Sequence, residues 1–318
     1  MAPTIRRLRH HDRVELDAHR TELTVHCYRM TGSFQDTEDL VQETLLRAWN
    51  ARDRYDPTRA SVRTWLYRIA TNACLTALDG RARRPLPSGL GAPGDDPGAP
   101  LAPATDVPWL QPFPDGRYDV DARTELRLAW VAAVQLLPAR QRAVLILRDV
   151  LAFTAAEVAE QLDTTVAAVN SALQRARSTA ATVAAGSADT LREPDDLRQR
   201  AAVDRYLAAF EAADVPALVG LLAEDAVLEM PPVALWFRGP EAYGAFMERM
   251  FRLRGTGWLT RPARANGQPA FAAYAREGGQ HRLHSLQVLN LADGRITRNT
   301  VFTDPATLRA FDLPETIR

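Results

Sequence analysis

The sequence contains no lysine, so all 39 residues of its Lys+Arg count are arginine. The absence of lysine excludes Schiff-base catalysis and the phosphate-binding lysine of a P-loop. The guanidinium groups that remain suit bidentate contacts with phosphates and with guanine bases. A GC-rich genome would produce the same bias, so composition alone assigns no function.

Cysteine is scarce as well, and long apolar runs are absent. Cys27 and Cys74 are far apart and outside any C-x-x-C pattern, so neither a disulfide framework nor a zinc site is expected. No apolar run approaches the roughly 18 residues that a membrane-spanning helix needs. Met1–Arg20 is charged and lacks the apolar stretch of a signal peptide. We therefore expect a cytoplasmic protein that does not enter a membrane.

The chain also lacks net charge, because its formal charge is +0. Any basic surface that binds nucleic acid must therefore be local. Its 318 residues, 46% of them hydrophobic, are enough for two or three separate cores. The chain should consequently be interpreted module by module.

Two breaks in composition divide the sequence into modules. Proline and glycine dominate between Arg84 and Tyr118, and a shorter break follows Ala185. The predicted division is a flexible N-terminal tail at 1–21, a helical domain at 22–84, a Pro/Gly-rich linker at 85–120, a second helical domain at 121–184, a short linker at 185–196 and a third domain at 197–318.

The third domain combines helices with strands. Val203, Tyr206 and Phe210 lie on one face of an amphipathic helix, whereas short alternating apolar runs follow it. Asn266-Gly267 and Asp293-Gly294 between those runs are typical hairpin turns. The pattern predicts an α+β domain in which helices precede an antiparallel sheet.

A helix-turn-helix is indicated in the second helical domain. Thr154 and Glu157 form a capping-box pattern, and a second helix follows from Thr165 to Arg177. Asn, Gln and Arg side chains can read base edges, and Ser and Arg also contact phosphates. An ordinary helical hairpin with a solvated face is the alternative. The candidate DNA-contacting residues are Thr165, Asn170, Ser171, Gln174, Arg175 and Arg177.

The first helical domain carries an acidic segment followed by a basic, aromatic one. The acidic segment holds Asp36, Glu38, Asp39, Gln42 and Glu43, and a helix dipole explains part of this clustering. Arginines mixed with aromatic rings are what a melted strand requires, since phosphates need cations and unstacked bases need π faces. Trp65 also lies on the apolar stripe of its helix, so a core position is an alternative for it. The candidate residues of the basic segment are Tyr55, Arg59, Ser61, Arg63, Trp65, Arg68 and Asn72.

These motifs resemble a known family. Cys27–Ser33, Asp36–Glu43, Arg47–Trp49 and Arg63–Asn72 resemble the second conserved region of extracytoplasmic-function (ECF) sigma factors. Leu137–Leu145 and Leu173–Arg177 resemble the fourth region of the same family. The order, the spacing and the intervening linker also agree with that family.

The resemblance implies an alternative sigma factor that binds core RNA polymerase and directs promoter recognition, DNA melting and transcription initiation. Polymerase contacts would involve the clamp coiled coil of the largest subunit and the flap. The acidic residues would bind the coiled coil, the basic segment the minus-ten element, and the helix-turn-helix the minus-thirty-five element. The resemblance implies no catalytic residue, metal or cofactor, and no motif identifies an anti-sigma partner.

The C-terminal extension resembles the SnoaL-like domain of sigma factors of the sigma-G and sigma-J type, a cone of the nuclear transport factor 2-like fold. Trp109–Asp115, Asn266–Ala270 and Asp304–Leu308 carry this resemblance. Related chains often have a lysine-bearing Asn-Pro-Asp-Lys-Leu-like stretch where this chain has Asp304–Leu308. We expect the domain to modulate activity through an intramolecular contact with the linker or region 2.

Two other interpretations differ in class. In one, a helix-turn-helix regulator is fused to a catalytic SnoaL-like domain of the isomerase or cyclase type. Its pocket would contain Glu229, Trp236, Tyr243, Tyr274 and His284. The alternative without catalysis makes these side chains ordinary polar residues: Asp225 and Glu229 on the surface of a strand, and His281 and His284 at an edge of the sheet. In the other, a repressor carries a ligand-sensing domain, which leaves the acidic helix and Arg63–Asn72 without a use.

Overall fold

The computed structural model describes residues 16–117, 126–185 and 197–318. Most of the predicted tail at 1–21 and nearly all of the predicted linker at 185–196 lie outside the described residues. The chain forms two compact units. The helical unit comprises Met1–Ala82 and Leu137–Thr179, and the sheet unit comprises Arg83–Leu136 and Ala180–Arg318.

Three helices form the first half of the helical unit: Arg20–Thr31, Phe34–Ala51 and Val62–Leu78. Local capping fixes where the second and third helices begin, because Ser33 accepts a hydrogen bond from the Asp36 N–H and Ser61 accepts one from the Thr64 N–H, both at 3.1 Å. Leu23, Met30 and Leu66 are fully buried in the shared core. The helix that carries Trp65 on its apolar stripe is confirmed and begins at Val62.

The second half of the helical unit contains Ala139–Leu145, a π-helical turn at Ile146–Val150, Ala155–Gln161 and Val166–Ala185. Thr154 and Glu157 form both hydrogen bonds of a capping box. Val169, Leu173 and Ala176 are buried on the inner side of the last helix. The predicted helix-turn-helix is therefore present.

The sheet unit contains helices Leu128–Gln135, Leu197–Glu211, Val215–Gly220, Pro240–Arg254 and Pro305–Arg309. Its strands are β1 (Leu222–Glu229), β2 (Trp236–Arg238), β3 (Leu259–Ala265), β4 (Gln268–Glu277), β5 (Gln280–Ala292), β6 (Arg295–Phe302) and β7 (Thr316–Ile317). They form one sheet in the order β2-β1-β6-β5-β4-β3, and β7 pairs with β5. The predicted α+β class is confirmed.

The sheet is mixed and not wholly antiparallel as expected, because β1 runs parallel to β6. Its other pairings are antiparallel. The two predicted hairpin turns occur, with positive φ at Asn266-Gly267 and at Asp293-Gly294. Helix Pro240–Arg254 was not anticipated, although Tyr243, Phe246 and Met247 have helical spacing.

The two faces of the sheet are covered by different parts of the sheet unit. Helices Leu197–Glu211 and Pro240–Arg254 pack on the inner face, where Phe271 and Leu289 join their core. Strand residues alternate between faces, so Ala272 and Tyr274 belong to a separate outer cluster. No helix within the three described ranges is long and apolar enough to cross a membrane.

Candidate nucleic-acid and polymerase interfaces

The acidic residues of helix Phe34–Ala51 occupy its solvent-facing side. Glu38, Asp39, Gln42 and Glu43 are exposed, and we call this row the acidic ridge. Asp36 is half-buried and accepts a hydrogen bond from Arg81 at 3.1 Å, while Glu43 pairs with Arg47 at 2.5 Å. The ridge is therefore a surface feature that the helical core does not require.

Leu46 adds an apolar group beside the acidic ridge. It follows Glu43 by one helical turn, and 60% of it is exposed. The sequence interpretation did not include Leu46 in the interface. Its position outside the buried stripe of Leu40, Val41 and Ala48 was the available signal.

Arg63, one of the predicted minus-ten residues, forms an intramolecular network. Its Nε donates to Glu22 at 2.9 Å, and the Tyr67 hydroxyl donates to the same carboxylate oxygen at 3.1 Å. Burial alone would raise the pKa of Glu22, but hydrogen bonds from His19, Arg63 and Tyr67 outweigh it and lower that pKa. Arg63 is thus held in place by the helix Arg20–Thr31.

Tyr55 and Trp65 form an aromatic pair at the start of helix Val62–Leu78. Their ring centroids lie 4.9 Å apart, and the Tyr55 hydroxyl donates to the Ala60 carbonyl at 2.9 Å. Both residues are only partly buried. Trp65 consequently presents a ring surface to solvent as well as packing on its neighbour, whereas Ser61 serves as the N-cap of the helix.

The remaining minus-ten candidates lie close to the helix-turn-helix. Guanidinium nitrogens of Arg59 and Arg68 lie 3.8 and 3.9 Å from the Glu160 carboxylate. The Asn72 amide donates to the Gln161 carbonyl at 3.5 Å. Three residues that are distant from the helix-turn-helix in sequence therefore meet the end of its first helix.

The predicted minus-thirty-five residues lie on the exposed side of helix Val166–Ala185 or just before it. Asn170, Ser171, Gln174, Arg175 and Arg177 are exposed. Thr165 is also exposed, and its hydroxyl accepts a hydrogen bond from the Ala168 N–H at 3.2 Å.

Arg177 differs from the other residues of this face. It donates two hydrogen bonds to Asp149, at 2.8 and 2.7 Å. This bidentate pair links the second helix of the helix-turn-helix to the π-helical turn. Sequence reasoning had placed Arg177 on the DNA-reading face without identifying its carboxylate partner.

Five residues of the sheet unit had been predicted to line one pocket, but the strand register distributes them over both faces. Glu229 lies opposite Trp236 and Thr300, on the outer face. Glu229 is fully buried and accepts hydrogen bonds from Arg298 at 2.8 Å and Thr300 at 3.0 Å. Its carboxylate therefore has a structural ion-pair partner.

Tyr243 lies on the other side of the sheet, in the inner core. Its hydroxyl lies 2.5 Å from that of Tyr206, and Asn299 donates to Tyr243 at 2.9 Å and to Gln287 at 2.7 Å. Burial raises the pKa of Tyr243 to about 12. The sequence interpretation missed Tyr206, Gln287 and Asn299. Gln287 alternates with Leu289 on β5, and Asn299 alternates with Val301 on β6; this spacing was the available signal.

Tyr274 and His284 join neither of these groups. Tyr274 packs in the outer cluster with Ala272 and Ile317. His284 is the extra residue of the bulge in the β4–β5 pairing, and it meets the Trp258 ring edge-on, with centroids 5.1 Å apart. Burial lowers the pKa of His284 to about 4.

Comparison with known proteins agrees with both units. Residues 16–84 match the model of Sigma-70 region 2, residues 127–179 that of Sigma-70 region 4, and residues 203–299 that of a SnoaL-like domain. The ECF RNA polymerase sigma factor SigG of Mycobacterium tuberculosis is 47% identical over 309 residues, which cover 95% of this chain and 83% of SigG. The chain belongs to the ECF sigma factors.

A second relative has a similar organisation. SigJ of the same species is 31% identical over 220 residues, covering 66% of this chain and 62% of SigJ. The crystal structure of SigJ aligns with a TM-score of 0.67 and 24% identity, and covers 95% of this chain and 99% of that one. The likeness shows a shared fold. The names of both relatives describe them as RNA polymerase sigma factors.

In this sigma factor the described part of the Pro-rich linker, residues 85–117, packs on the SnoaL-like domain. The Gly94 N–H donates to the Trp236 carbonyl at 2.7 Å, and that of Ala104 donates to Pro232 at 2.8 Å. Arg249 donates to two linker carbonyls, at 2.7 Å each. A Cβ on Gly94 would lie 2.5 Å from a methyl of Leu235 and 3.3 Å from the Phe237 ring, so a larger residue there would require the Leu235 side chain to move.

The end of the linker is held by the β3–β4 hairpin. Leu110 and Phe113 are buried. The Asn266 side chain accepts a hydrogen bond from the Phe113 N–H at 2.8 Å and donates to Leu126 at 2.6 Å. Asp115 accepts a hydrogen bond from the Gly267 N–H at 2.8 Å. Burial raises the pKa of Asp115 to about 6.

Proposed function

We propose that this sigma factor acts in the cytoplasm by joining core RNA polymerase through the acidic ridge and reading promoter DNA with two separate surfaces. The observation that carries the proposal is the exposed acidic ridge on a helix whose opposite side is buried. A carboxylate row that the fold does not require is suited to a basic partner. The clamp coiled coil of the largest subunit is the partner that the family resemblance implies.

Leu46 supports the docking proposal. Interfaces gain most of their affinity from a few apolar or aromatic anchors surrounded by polar groups. Leu46 lies among Asp39, Gln42 and Glu43 and is exposed. We propose that it inserts between side chains of the polymerase coiled coil while the carboxylates set the orientation.

We assign capture of the melted minus-ten element to the basic end of region 2. Arg59 and Arg68 offer exposed guanidinium groups for phosphates, and the partly exposed Tyr55 and Trp65 rings offer stacking surfaces for unpaired bases. Arg63 is assigned a positioning role, because Glu22 holds it against Tyr67. Asn72 would contact a base or the sugar-phosphate backbone.

We assign recognition of the minus-thirty-five element to Asn170, Gln174 and Arg175. Residues 170 and 174 are one turn apart on an exposed helix face, an arrangement that suits contact with a single DNA groove. Their amide groups suit adenine, and Arg175 suits guanine or phosphate. Arg177 is assigned to orienting the helix through Asp149.

We propose that the SnoaL-like domain modulates initiation by holding the linker. The resemblance implies that this linker extends toward the active-site channel in the polymerase complex. The hydrogen bonds of Gly94, Ala104 and Phe113 support a state in which the linker is withheld from that path. Release of the linker would then accompany holoenzyme assembly.

Binding of the full chain to purified core polymerase tests the assignment against the repressor alternative. The labelled protein should co-elute with core polymerase as a stoichiometric complex and be displaced by an excess of unlabelled protein. A repressor with a ligand-sensing domain would elute alone.

A further inference from the structure

The first helix of the helix-turn-helix ends against the proposed minus-ten surface of region 2. Its Glu160 carboxylate lies between Arg59, at 3.8 Å, and Arg68, at 3.9 Å. The exposed fraction of the side chain is 60% for Glu160, 74% for Arg59 and 47% for Arg68. All three belong to the helical unit. One carboxylate therefore approaches two of the guanidinium groups assigned to DNA phosphates.

Contacts on either side of Glu160 fix this position. The neighbouring Gln161 carbonyl accepts a hydrogen bond from Asn72 at 3.5 Å. Phe153, just before the helix, meets the Tyr67 ring edge-on at 5.6 Å and lies 5.4 Å from the Arg63 guanidinium. The helix thus meets region 2 through an aromatic group just before its start and through charged and polar groups at its end.

A buried contact provides the anchor for these exposed ones. The Arg142 guanidinium, which is almost fully buried, donates to the Met30 carbonyl. Buried hydrogen bonds of charged groups are costly to break. Exposed ion pairs at nearly 4 Å are weak and exchange readily with other ions. The Glu160 contacts can therefore open more easily than the anchor.

We propose that the end of helix Ala155–Gln161 covers the minus-ten surface in the free sigma factor, with Glu160 in the place of a DNA phosphate. Single-stranded promoter DNA must then displace this helix end before it can reach Arg59, Arg68 and Asn72. The inference rests on the proposed DNA-binding role of those three residues. It assigns Glu160 a function that the helix-turn-helix itself does not require.

The same arrangement leaves the second DNA surface open. Asn170, Gln174 and Arg175 remain exposed while Glu160 contacts region 2. The Glu160 contact therefore affects binding of the minus-ten element and leaves the surface for the minus-thirty-five element free. Duplex recognition by the second helix does not require Glu160 to move, whereas a melted strand has to compete with Glu160 for Arg59 and Arg68.

The test compares full-length wild type with Glu160→Gln and with a matched control, Asp163→Asn. Asp163 is exposed, lies three residues further on, and forms no ion pair among the residues that the structure describes. Its φ of 49° suits asparagine. The control removes the same charge from the same turn without removing the contact.

The probe is a fluorescein-labelled single-stranded 12-nucleotide oligothymidylate, a length chosen as about one binding-site size. Binding is followed by anisotropy at low salt, and backbone hydrogen exchange is measured on the same proteins without probe. Glu160→Gln should bind the probe about two- to tenfold more tightly than wild type, as expected for loss of weak exposed ion pairs. Asp163→Asn should stay within about twofold of wild type.

Hydrogen exchange separates the covering contact from the DNA assignment. Faster exchange in segments 59–72 and 154–162 of Glu160→Gln, together with tighter probe binding, supports the proposal. Unchanged exchange and unchanged binding overturn it. Faster exchange without a gain in binding, or no probe binding by either protein, also overturns it. Faster exchange without a gain in binding, and a lack of probe binding by either protein, also contradict the minus-ten assignment. Unchanged exchange with unchanged binding contradicts only the covering contact.

Discussion

At the scale of single residues, the acidic ridge carries the polymerase-docking proposal. The double substitution Asp39→Arg and Glu43→Arg replaces attraction to a basic coiled coil with repulsion. We expect affinity for core polymerase to fall at least about tenfold, the effect of roughly 1.4 kcal/mol. The measurement is a fluorescence titration with core polymerase.

A control separates docking from folding in that titration. Both ridge residues are exposed, so circular dichroism and the unfolding midpoint should stay close to wild type. Gln35→Arg changes the charge of an exposed residue before the ridge and should have a smaller effect. Equal affinity of the ridge variant and wild type, with the helices intact, would contradict the docking assignment.

The reading face of the helix-turn-helix gives a second residue-scale prediction. Asn170→Ala and Arg175→Ala should each weaken recognition of the upstream element by about 1–3 kcal/mol, because each removes a base-edge contact. The measurement compares holoenzyme binding to cognate and scrambled upstream elements. Equal weakening on both sequences would assign the residue to phosphate contact instead.

His26 gives a prediction about pH. Its ring is fully buried against Thr71, and burial, together with Arg29 and Arg63, lowers its pKa to about 3. The folded state therefore keeps His26 neutral, whereas the unfolded chain takes up a proton as the pH falls below about 6.5. The stability contributed by neutral His26 is complete above that pH and is lost progressively toward pH 3.

Urea unfolding at pH 7 and pH 5 measures this effect. Between pH 7 and pH 5, the free energy of unfolding should fall by about 2 kcal/mol more for wild type than for His26→Gln. The glutamine amide retains a hydrogen-bonding group for Thr71. Comparison with the variant removes the contribution of the carboxylates that titrate in both proteins. An identical pH dependence of the two proteins would show that His26 is not held neutral.

At the scale of structural elements, the β3–β4 hairpin is the clearest link between the linker and the SnoaL-like domain. Asn266→Gly keeps a residue that tolerates the φ of 59° but removes the hydrogen bonds to Phe113 and Leu126. We expect the free energy that holds the linker on the SnoaL-like domain to fall by about 1–3 kcal/mol. Hydrogen exchange in segment 109–117 should accelerate accordingly.

The control for the hairpin is Asp293→Gly, at the equivalent position of the β5–β6 turn, where φ is 51°. It should leave exchange in segment 109–117 unchanged. If Asn266→Gly also behaves as wild type does, the hairpin does not hold the linker. If exchange accelerates while polymerase binding and transcription stay the same, the contact exists but the modulatory proposal fails.

Elements that depend on local chemistry could be predicted from the sequence. The capping box at Thr154 and the turn residues Asn266-Gly267 specify their conformations within a few residues, and both occur in the structure. The parallel pairing of β1 with β6 could not be predicted in this way. It joins strands some 70 residues apart, and nothing local in β1 specifies its neighbour.

The predicted pocket in the SnoaL-like domain depended on the same missing information. Glu229 and Tyr243 were grouped by chemistry, but which face each occupies depends on strand register and on helix Pro240–Arg254. A shift of register by one residue exchanges the two faces of a strand. Residue type alone could therefore not identify the buried cluster of Tyr206, Tyr243 and Asn299.

At the scale of the whole molecule, the two compact units do not follow the order of the chain. The helix-turn-helix belongs with region 2, whereas the linker and helix Leu128–Gln135 belong with the SnoaL-like domain. Region 4 as matched, residues 127–179, is therefore divided between the units.

Run-off transcription tests the central claim most directly. Purified core polymerase is incubated with fragments of genomic DNA, with and without the full-length sigma factor, and the transcripts are mapped. We expect discrete start sites that appear only with the sigma factor and that give fewer transcripts with the Asp39→Arg/Glu43→Arg variant. Transcripts identical to those of core polymerase alone, from a sample in which the complex has formed, would contradict it.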